Sequence, residues 1–135
     1  MSSKVEKIIH NGEVYALVLR KEMEEEGIHF VTPEDYPLQV GVQIRKMGDV
    51  VKPHMHKSIK KEIEVIQEFI HIVYGKVKTI VYNENDEKIS EIILNSGDSL
   101  LQAKGGHGFE ILEDTKLIEV KQGPYGGVNE DKKRF

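Results

Sequence analysis

Two histidines separated by one residue are the side chains of this sequence best placed to bind a metal ion. His54 and His56 follow Pro53, which restricts the residue before it to an extended backbone and so favours a strand. On a strand the two imidazoles would point to the same face, where both could ligate one ion. The alternative is a pair of exposed or hydrogen-bonded histidines, and the spacing alone does not choose between these interpretations.

Any further ligand in this sequence must be a histidine or a carboxylate. The chain has 135 residues, no cysteine and six histidines. The lack of cysteine excludes disulfides, thiol nucleophiles, iron–sulfur clusters and cysteine-based zinc sites.

The formal net charge of -4 argues against nucleic acid as a partner. The opening residues have no signal-peptide core and no later stretch is long and apolar enough for a membrane span, which predicts a cytoplasmic protein with no membrane partner.

The elements that would position these side chains are short strands. Single glycines separate runs rich in Val and Ile, a pattern typical of many strands joined by turns. The acidic run 21–26 is interpreted as a solvated loop. The sequence predicts strands at 14–19 after the Asn11-Gly12 turn, 40–44, 50–56, 63–74 ending at Gly75, 77–82, 89–94, 99–102 and 117–121.

Such a pattern predicts an all-β sandwich or barrel in one domain. We expect a single domain over 1–135, with N-terminal strands over about 1–45, a barrel core over about 46–122 and a loop-like tail at 123–135.

The histidine pair belongs to a longer pattern. Gly48 lies six positions before His54, and Glu68 lies seven positions before Gly75. Further along, Gly97, Gly105 and His107 follow in order. The two groups resemble the two motifs of the cupin superfamily, in particular its small single-domain members. The resemblance spans Gly48 to about Ile111.

Three departures from the family pattern stand out. Eleven residues separate His56 from Glu68, where the family has three or four. Ala103 occupies the position where proline is usual, and His107 comes one residue early. Ile111 ends the second motif in place of asparagine.

The long gap leaves three glutamates as possible carboxylate ligands. Glu62, Glu64 and Glu68 share parity and would face the same side of one unbroken strand. A hairpin extension between Lys57 and Ile66 would keep Glu68 in the family position, and we favour Glu68, with the other two as fallbacks. His71 would face the opposite side of that strand.

The resemblance implies a double-stranded β-helix, the jelly-roll cupin barrel, with one divalent metal ion held by His54, His56, Glu68 and His107. Three imidazoles and one carboxylate suit Fe, Mn, Ni, Cu or Zn and leave positions for water or substrate. Such a site could polarise a carbonyl, bind a vicinal diol, activate water or, with iron, bind dioxygen.

Four polar residues are candidates for contacts with a small-molecule ligand. Gln43 and Arg45 share one strand face, as do Glu119 and Lys121, so each pair could line the barrel. Alternatively each pair is a solvent-facing row whose apolar neighbours form the core. The segment after Lys121 resembles the end of small cupins from sugar pathways, which favours a sugar or sugar derivative.

Three functions stay open from the sequence. The first is a metal-dependent enzyme, an isomerase, epimerase or oxygenase acting on a small polar molecule. The second is a non-catalytic sensor or carrier, and the third is a structural dimerisation barrel. We expect a homodimer in each case, formed through the strand near 14–19 or through the tail.

Overall fold

The structure, a computed structural model, describes residues 5–24, 27–128 and 132–135. The regular elements of these ranges are eight β-strands. In chain order they are β1 (Val5–His10), β2 (Glu13–Leu19), β3 (Gly27–Phe30), β4 (Gly41–Ile44), β5 (Glu68–Tyr82), β6 (Lys88–Asn95), β7 (Ser99–Gln102) and β8 (Gly106–Lys121). Across the ranges described, no helix has the length and apolar character needed to cross a membrane.

The strands form a curled six-stranded sheet and a separate two-stranded one, with every pairing antiparallel. The order across the large sheet is β1-β2-β7-β5-β6, and β8 pairs with the opposite edge of β5. The small sheet consists of β3 and β4. The long strand β5 therefore organises the fold, because β7 and then β6 lie along one of its edges and β8 lies along the other.

Side chains pack on both faces at the centre of the large sheet. The inner face carries one core cluster, in which Val18, Ile70 and Leu100 are fully buried. The outer face carries a second cluster around Leu17 and Leu101, against which side chains of the small sheet pack. Alternate residues of the same strands fill the two layers, since successive side chains of a strand point to opposite faces.

Several predicted elements are confirmed. The all-β class is correct, and the predicted strand at 99–102 coincides with β7. The turn at Asn11 and Gly12 joins β1 to β2 in a hairpin, and the predicted strands at 14–19, 40–44 and 89–94 fall within β2, β4 and β6 to within one residue at each end. The described parts of the tail, residues 123–128 and 132–135, contain no strand.

The prediction that a strand ends at Gly75 is wrong. Strand β5 continues through this residue, with shifts of register against β8 on both sides of it. Gly75 has a φ of 105°, and a Cβ built there would lie 2.2 Å from Oγ1 of Thr115. The glycine thus allows a bulge and a close approach of two strands where the sequence suggested a turn.

The strand predicted at 50–56 and the hairpin predicted between Lys57 and Ile66 are also wrong. Residues 45–66 contain no strand, and every one of them is exposed. We call this segment the arm. Its backbone makes no sheet pairing with any described residue, so the extended backbone that Pro53 favours has no partner strand. The strand predicted at 63–74 accordingly begins only at Glu68. By contrast, the strand predicted at 117–121 is too short, because it is only the end of the much longer β8.

Candidate binding site on the inner face of the sheet

A cavity of about 590 Å³ opens on the inner face, where β5, β7 and β8 meet. Glu68 at the start of β5 pairs in register with Gln102 at the end of β7 and with Lys121 at the end of β8. Because directly opposed residues project to the same face, these three side chains share the cavity wall. His107 reaches the same cavity from the opposite end of β8.

Glu68 and His107 form the polar centre of the cavity. Oε1 of Glu68 lies 3.4 Å from Nε2 of His107, and the two side chains are 15% and 20% exposed. This separation exceeds the usual length of a charge-assisted hydrogen bond, about 2.7–2.9 Å. The Oε1 atom is itself buried and makes no hydrogen bond within the described residues. A buried carboxylate oxygen in this state is a ready acceptor for a cation or a donor.

Gln102 fixes which nitrogen of His107 faces the carboxylate. The amide nitrogen of Gln102 donates to the carbonyl oxygen of Lys104 at 2.6 Å, so its Oε1 is the atom that faces His107. Oε1 then accepts from Nδ1 of His107 at 3.2 Å. In the neutral imidazole, Nε2 therefore presents a lone pair to Glu68. Two acceptors facing each other need a proton or a metal ion between them. A histidine that ligates a metal through one ring nitrogen usually donates its other ring N–H to an acceptor, as Nδ1 of His107 donates to Gln102.

The charges around Glu68 favour its ionised form. With a proton on Nε2, the contact of His107 with the carboxylate is the largest influence that lowers the pKa of the Glu68 carboxyl below its ordinary value. Burial opposes this shift, and the positive charges of Lys121 and Lys132 add to it. The carboxylate is thus held in the form that can bind a cation.

A glycine immediately before β8 allows His107 to sit where it does. Gly105 has a φ of 72°, and a Cβ there would lie 2.3 Å from the backbone oxygen of Tyr82. Two residues on, the His107 ring stacks on Phe109, with centroids 4.9 Å apart. The glycine lets the chain pass close to β5, and the stacking holds the imidazole on the inner face.

Basic residues from the chain terminus form one side of the cavity. Lys132, Lys133 and Arg134 line it together with Lys121. Nζ of Lys133 lies 3.1 Å from a carboxylate oxygen of Asp86. The ring of Phe135 packs edge-on against Tyr82, with centroids 5.0 Å apart, and so anchors the end of the chain beside the cavity.

Of the residues predicted to bind metal or ligand, the structure brings four into this cavity. Glu68, His107, Glu119 and Lys121 all line it. Glu119 and Lys121 are therefore on the cavity side of β8, while their neighbours Ile118 and Val120 remain half exposed.

The other predicted residues lie elsewhere. His54 and His56 are on the arm, with ring centroids 5.6 Å apart, and both are exposed. Glu62 and Glu64 are exposed on the same arm. Considering only the residues described, no group of three or more His, Asp or Glu side chains is close enough to hold a metal ion.

Gln43 and Arg45 do not line the cavity either. Both are exposed, one at the end of β4 and the other at the start of the arm, and Nε of Arg45 donates to Oε1 of Gln43 at 3.3 Å. His71 lies on the outer face of β5, where its Nδ1 is 2.7 Å from Oγ of Ser99.

Gln102 and the terminal basic residues were not predicted from the sequence. Gln102 lies between two glycines of the second motif, at the end of the predicted strand 99–102, and only the pairing of β7 with β5 shows that it lies opposite Glu68. The run of Lys132, Lys133 and Arg134 was visible, but nothing in the sequence shows that it returns to the sheet.

The comparisons with known proteins leave the assignment to the geometry. No family model, no curated protein and no solved structure matches this chain.

Proposed function

We propose that this chain is a cupin barrel that binds one divalent transition metal ion and takes up a small polar molecule in the cavity. The observation that carries the proposal is the arrangement of Glu68, His107 and Gln102. Oε1 of Glu68, which is buried and has no hydrogen bond to any described residue, faces Nε2 of His107, while Nδ1 of the same ring already donates to Gln102. This pair fits a metal ion by the chemistry of its donors, an anionic oxygen and a neutral nitrogen.

Glu68 and His107 would hold the ion from within the sheet, with His54 and His56 as the remaining ligands. When bound, an ion such as Fe, Mn, Ni, Cu or Zn supplies Lewis acidity or, for iron, redox chemistry. Gln102 keeps Nε2 of His107 aimed at Glu68. Glu119, which is exposed at the rim, is the carboxylate best placed to exchange a proton with a molecule in the cavity.

The basic side of the cavity supports a ligand that carries a negative charge. Among the described residues, four cationic side chains line the cavity beside the carboxylates of Glu68 and Glu119. An anionic group beside Lys132 and Arg134 would leave the hydroxyl groups of the same molecule to face Glu68. A sugar phosphate or a sugar acid has both features and agrees with the sugar derivative expected from the sequence.

Metal content tests the proposal directly. We expect the purified protein, prepared without a metal-affinity tag, to hold close to one ion per chain by elemental analysis. Glu68→Gln, His107→Ala and His54→Ala should each lower this content at least tenfold. His71→Ala is the matched control, because its imidazole lies on the other face of β5, and it should keep the metal. A wild-type protein that holds no metal after incubation with Zn²⁺ or Mn²⁺ would overturn the proposal.

Turnover separates the enzyme from the alternatives. An isomerase, epimerase or oxygenase should lose its turnover in His54→Ala. A sensor or carrier should show a melting temperature raised by glucose 1-phosphate, and not by glucose, without product. A structural dimerisation barrel should hold no metal and should not be destabilised by His107→Ala.

A further inference from the structure

The arm presents a large apolar surface to solvent. It exposes several large apolar side chains, among them Met47 at 104%, Val50 at 85%, Met55 at 89% and Ile59 at 74%. A concentration of exposed apolar side chains in one segment is typical of a surface that another molecule covers. The arm also carries the two histidines that the metal site lacks.

Strand β8 offers a place for such a segment. It pairs with β5 along one edge, and no strand in the described part of the chain pairs with its other edge. This strand is 16 residues long, and a long free edge is a template for pairing with another chain. The expected dimer edge at 14–19 is not available, since β2 is buried and paired on both sides by β1 and β7.

The two surfaces are complementary in character. The arm has six Lys and Arg residues against three Asp and Glu, whereas β8 has four Asp and Glu residues against two Lys. Strand β8 also exposes apolar side chains, with Ile111 at 56% and Leu112 at 47%. Opposite charge together with apolar area on both sides favours pairing of the two segments.

We propose that the arm of a second copy of this chain pairs with the free edge of β8 and places its His54 and His56 beside Glu68 and His107. The inference rests on the proposed metal site and names the source of its missing ligands. A strand laid along β8 would project His54 and His56 to one face, because they are two residues apart. Pro53 is compatible with this position, since the added strand would itself be an edge.

A second copy would provide a partner for the arm and a partner for the free edge of β8 at the same time. Within the described part of each chain, the arm has no partner strand and β8 has one unpaired edge, so a two-fold exchange uses both pairs of surfaces. Each of the two sites would then contain Glu68 and His107 from one chain and the histidine pair from the other. Neither chain would have a complete site by itself.

A heterodimer of two defective chains tests this exchange. One chain carries His54→Ala and His56→Ala, and the other carries Glu68→Gln and His107→Ala. The chains are co-expressed with two different tags that do not bind metal, the mixed dimer is isolated, and its Zn²⁺ content is measured. We expect each variant alone to hold less than a tenth of the wild-type Zn²⁺. The mixed dimer should hold half the wild-type content, because one of its two sites has all four ligands.

The outcomes separate the two proposals. If the wild type binds Zn²⁺ and the mixed dimer binds none, each site is built within one chain, and the exchange is overturned while the metal site stands. If no mixed dimer forms, the exchange is likewise overturned. If the wild type binds neither Zn²⁺ nor Mn²⁺, both proposals fail. A mixed dimer of chains carrying His10→Ala and His71→Ala should keep the full content. Far-ultraviolet circular dichroism checks that each variant is folded. If the chain with Glu68→Gln and His107→Ala does not fold, a chain with His107→Gln alone replaces it.

Discussion

The centre of the large sheet and the arm contain the same kinds of apolar residue in opposite environments. All four residues of β7 are buried, between β2 on one side and β5 on the other. All residues of the arm are exposed, although they include three valines, three isoleucines and two methionines. Composition alone therefore does not decide which segment is buried. A strand is buried when both of its edges and both of its faces have partners, and among the described residues of its own chain the arm has no partner strand.

The largest effect should come from a cavity at the centre. Leu100 is fully buried on the inner face, so Leu100→Ala should lower the free energy of unfolding by about 2–5 kcal/mol. Val50→Ala in the arm is the matched control. At concentrations where the protein is monomeric, its effect should stay within about 0.5 kcal/mol. Urea denaturation measures both, and equal losses in the two variants would contradict the contrast between centre and arm.

A smaller effect should follow from the loss of one buried carboxylate. Asp98 accepts from Nη1 of Arg20 at 3.0 Å and from the backbone nitrogens of Lys21 at 2.9 Å and Asn95 at 2.8 Å. Asp98→Ala should lower the free energy of unfolding by about 2–3 kcal/mol, because hydrogen bonds to charged groups contribute strongly. The loss is limited because Arg20 keeps its bond to Glu6.

The arm contains a matched carboxylate for that comparison. Asp49 accepts from the backbone nitrogen of Lys46 at 2.9 Å, but it is exposed. Asp49→Ala should change the free energy of unfolding by less than about 0.5 kcal/mol, because water replaces the lost acceptor. Chemical denaturation of the two variants side by side checks the difference, and a loss of similar size in both would show that burial is not its cause.

The sequence was a good guide to local strands and a poor guide to their continuity. Turn signals such as Asn11 and Gly12 act within a few residues, so β2 and its hairpin could be predicted. Gly75 has the same backbone freedom as a turn glycine, yet it serves as a bulge, because β8 continues alongside it. Whether a glycine ends a strand or bends it depends on the neighbouring strand, and this information is not local.

The same limit applies to the site. Glu68 and His107 could be named from the resemblance to the cupin motifs and Glu119 and Lys121 from parity, and the fold brings all four into one cavity. Parity could not show whether the segment with His54 and His56 joins this sheet, because that requires a partner strand. Nor could it indicate the terminal residues Lys132 to Arg134, whose approach to the cavity depends on how the whole chain returns.

The smallest effect should be a pH dependence at Glu84, an exposed carboxylate that contacts the buried strand β2. Oη of Tyr15 donates to Glu84 at 2.6 Å, and Nζ of Lys104 lies 3.0 Å from the same carboxylate. The hydrogen bond from Tyr15, followed by that from Lys104, lowers the pKa of Glu84 to about 2. Because the folded-state pKa is depressed, the stabilisation is present above the ordinary pKa of a glutamate and is lost as the pH falls towards 2.

Glu84→Gln should therefore remove part of the loss of stability between pH 5 and pH 2. The difference should be below about 1 kcal/mol, since the Glu84 side chain is 54% exposed and water and salt screen its charge. Thermal unfolding across this pH range measures it, and added NaCl should shrink it. Glu64→Gln, at an exposed glutamate of the arm, is the control and should leave the pH profile of the monomer unchanged. Identical profiles for wild type and Glu84→Gln would mean that the contact with Tyr15 contributes nothing, and that exposure outweighs hydrogen bonding even next to the buried centre.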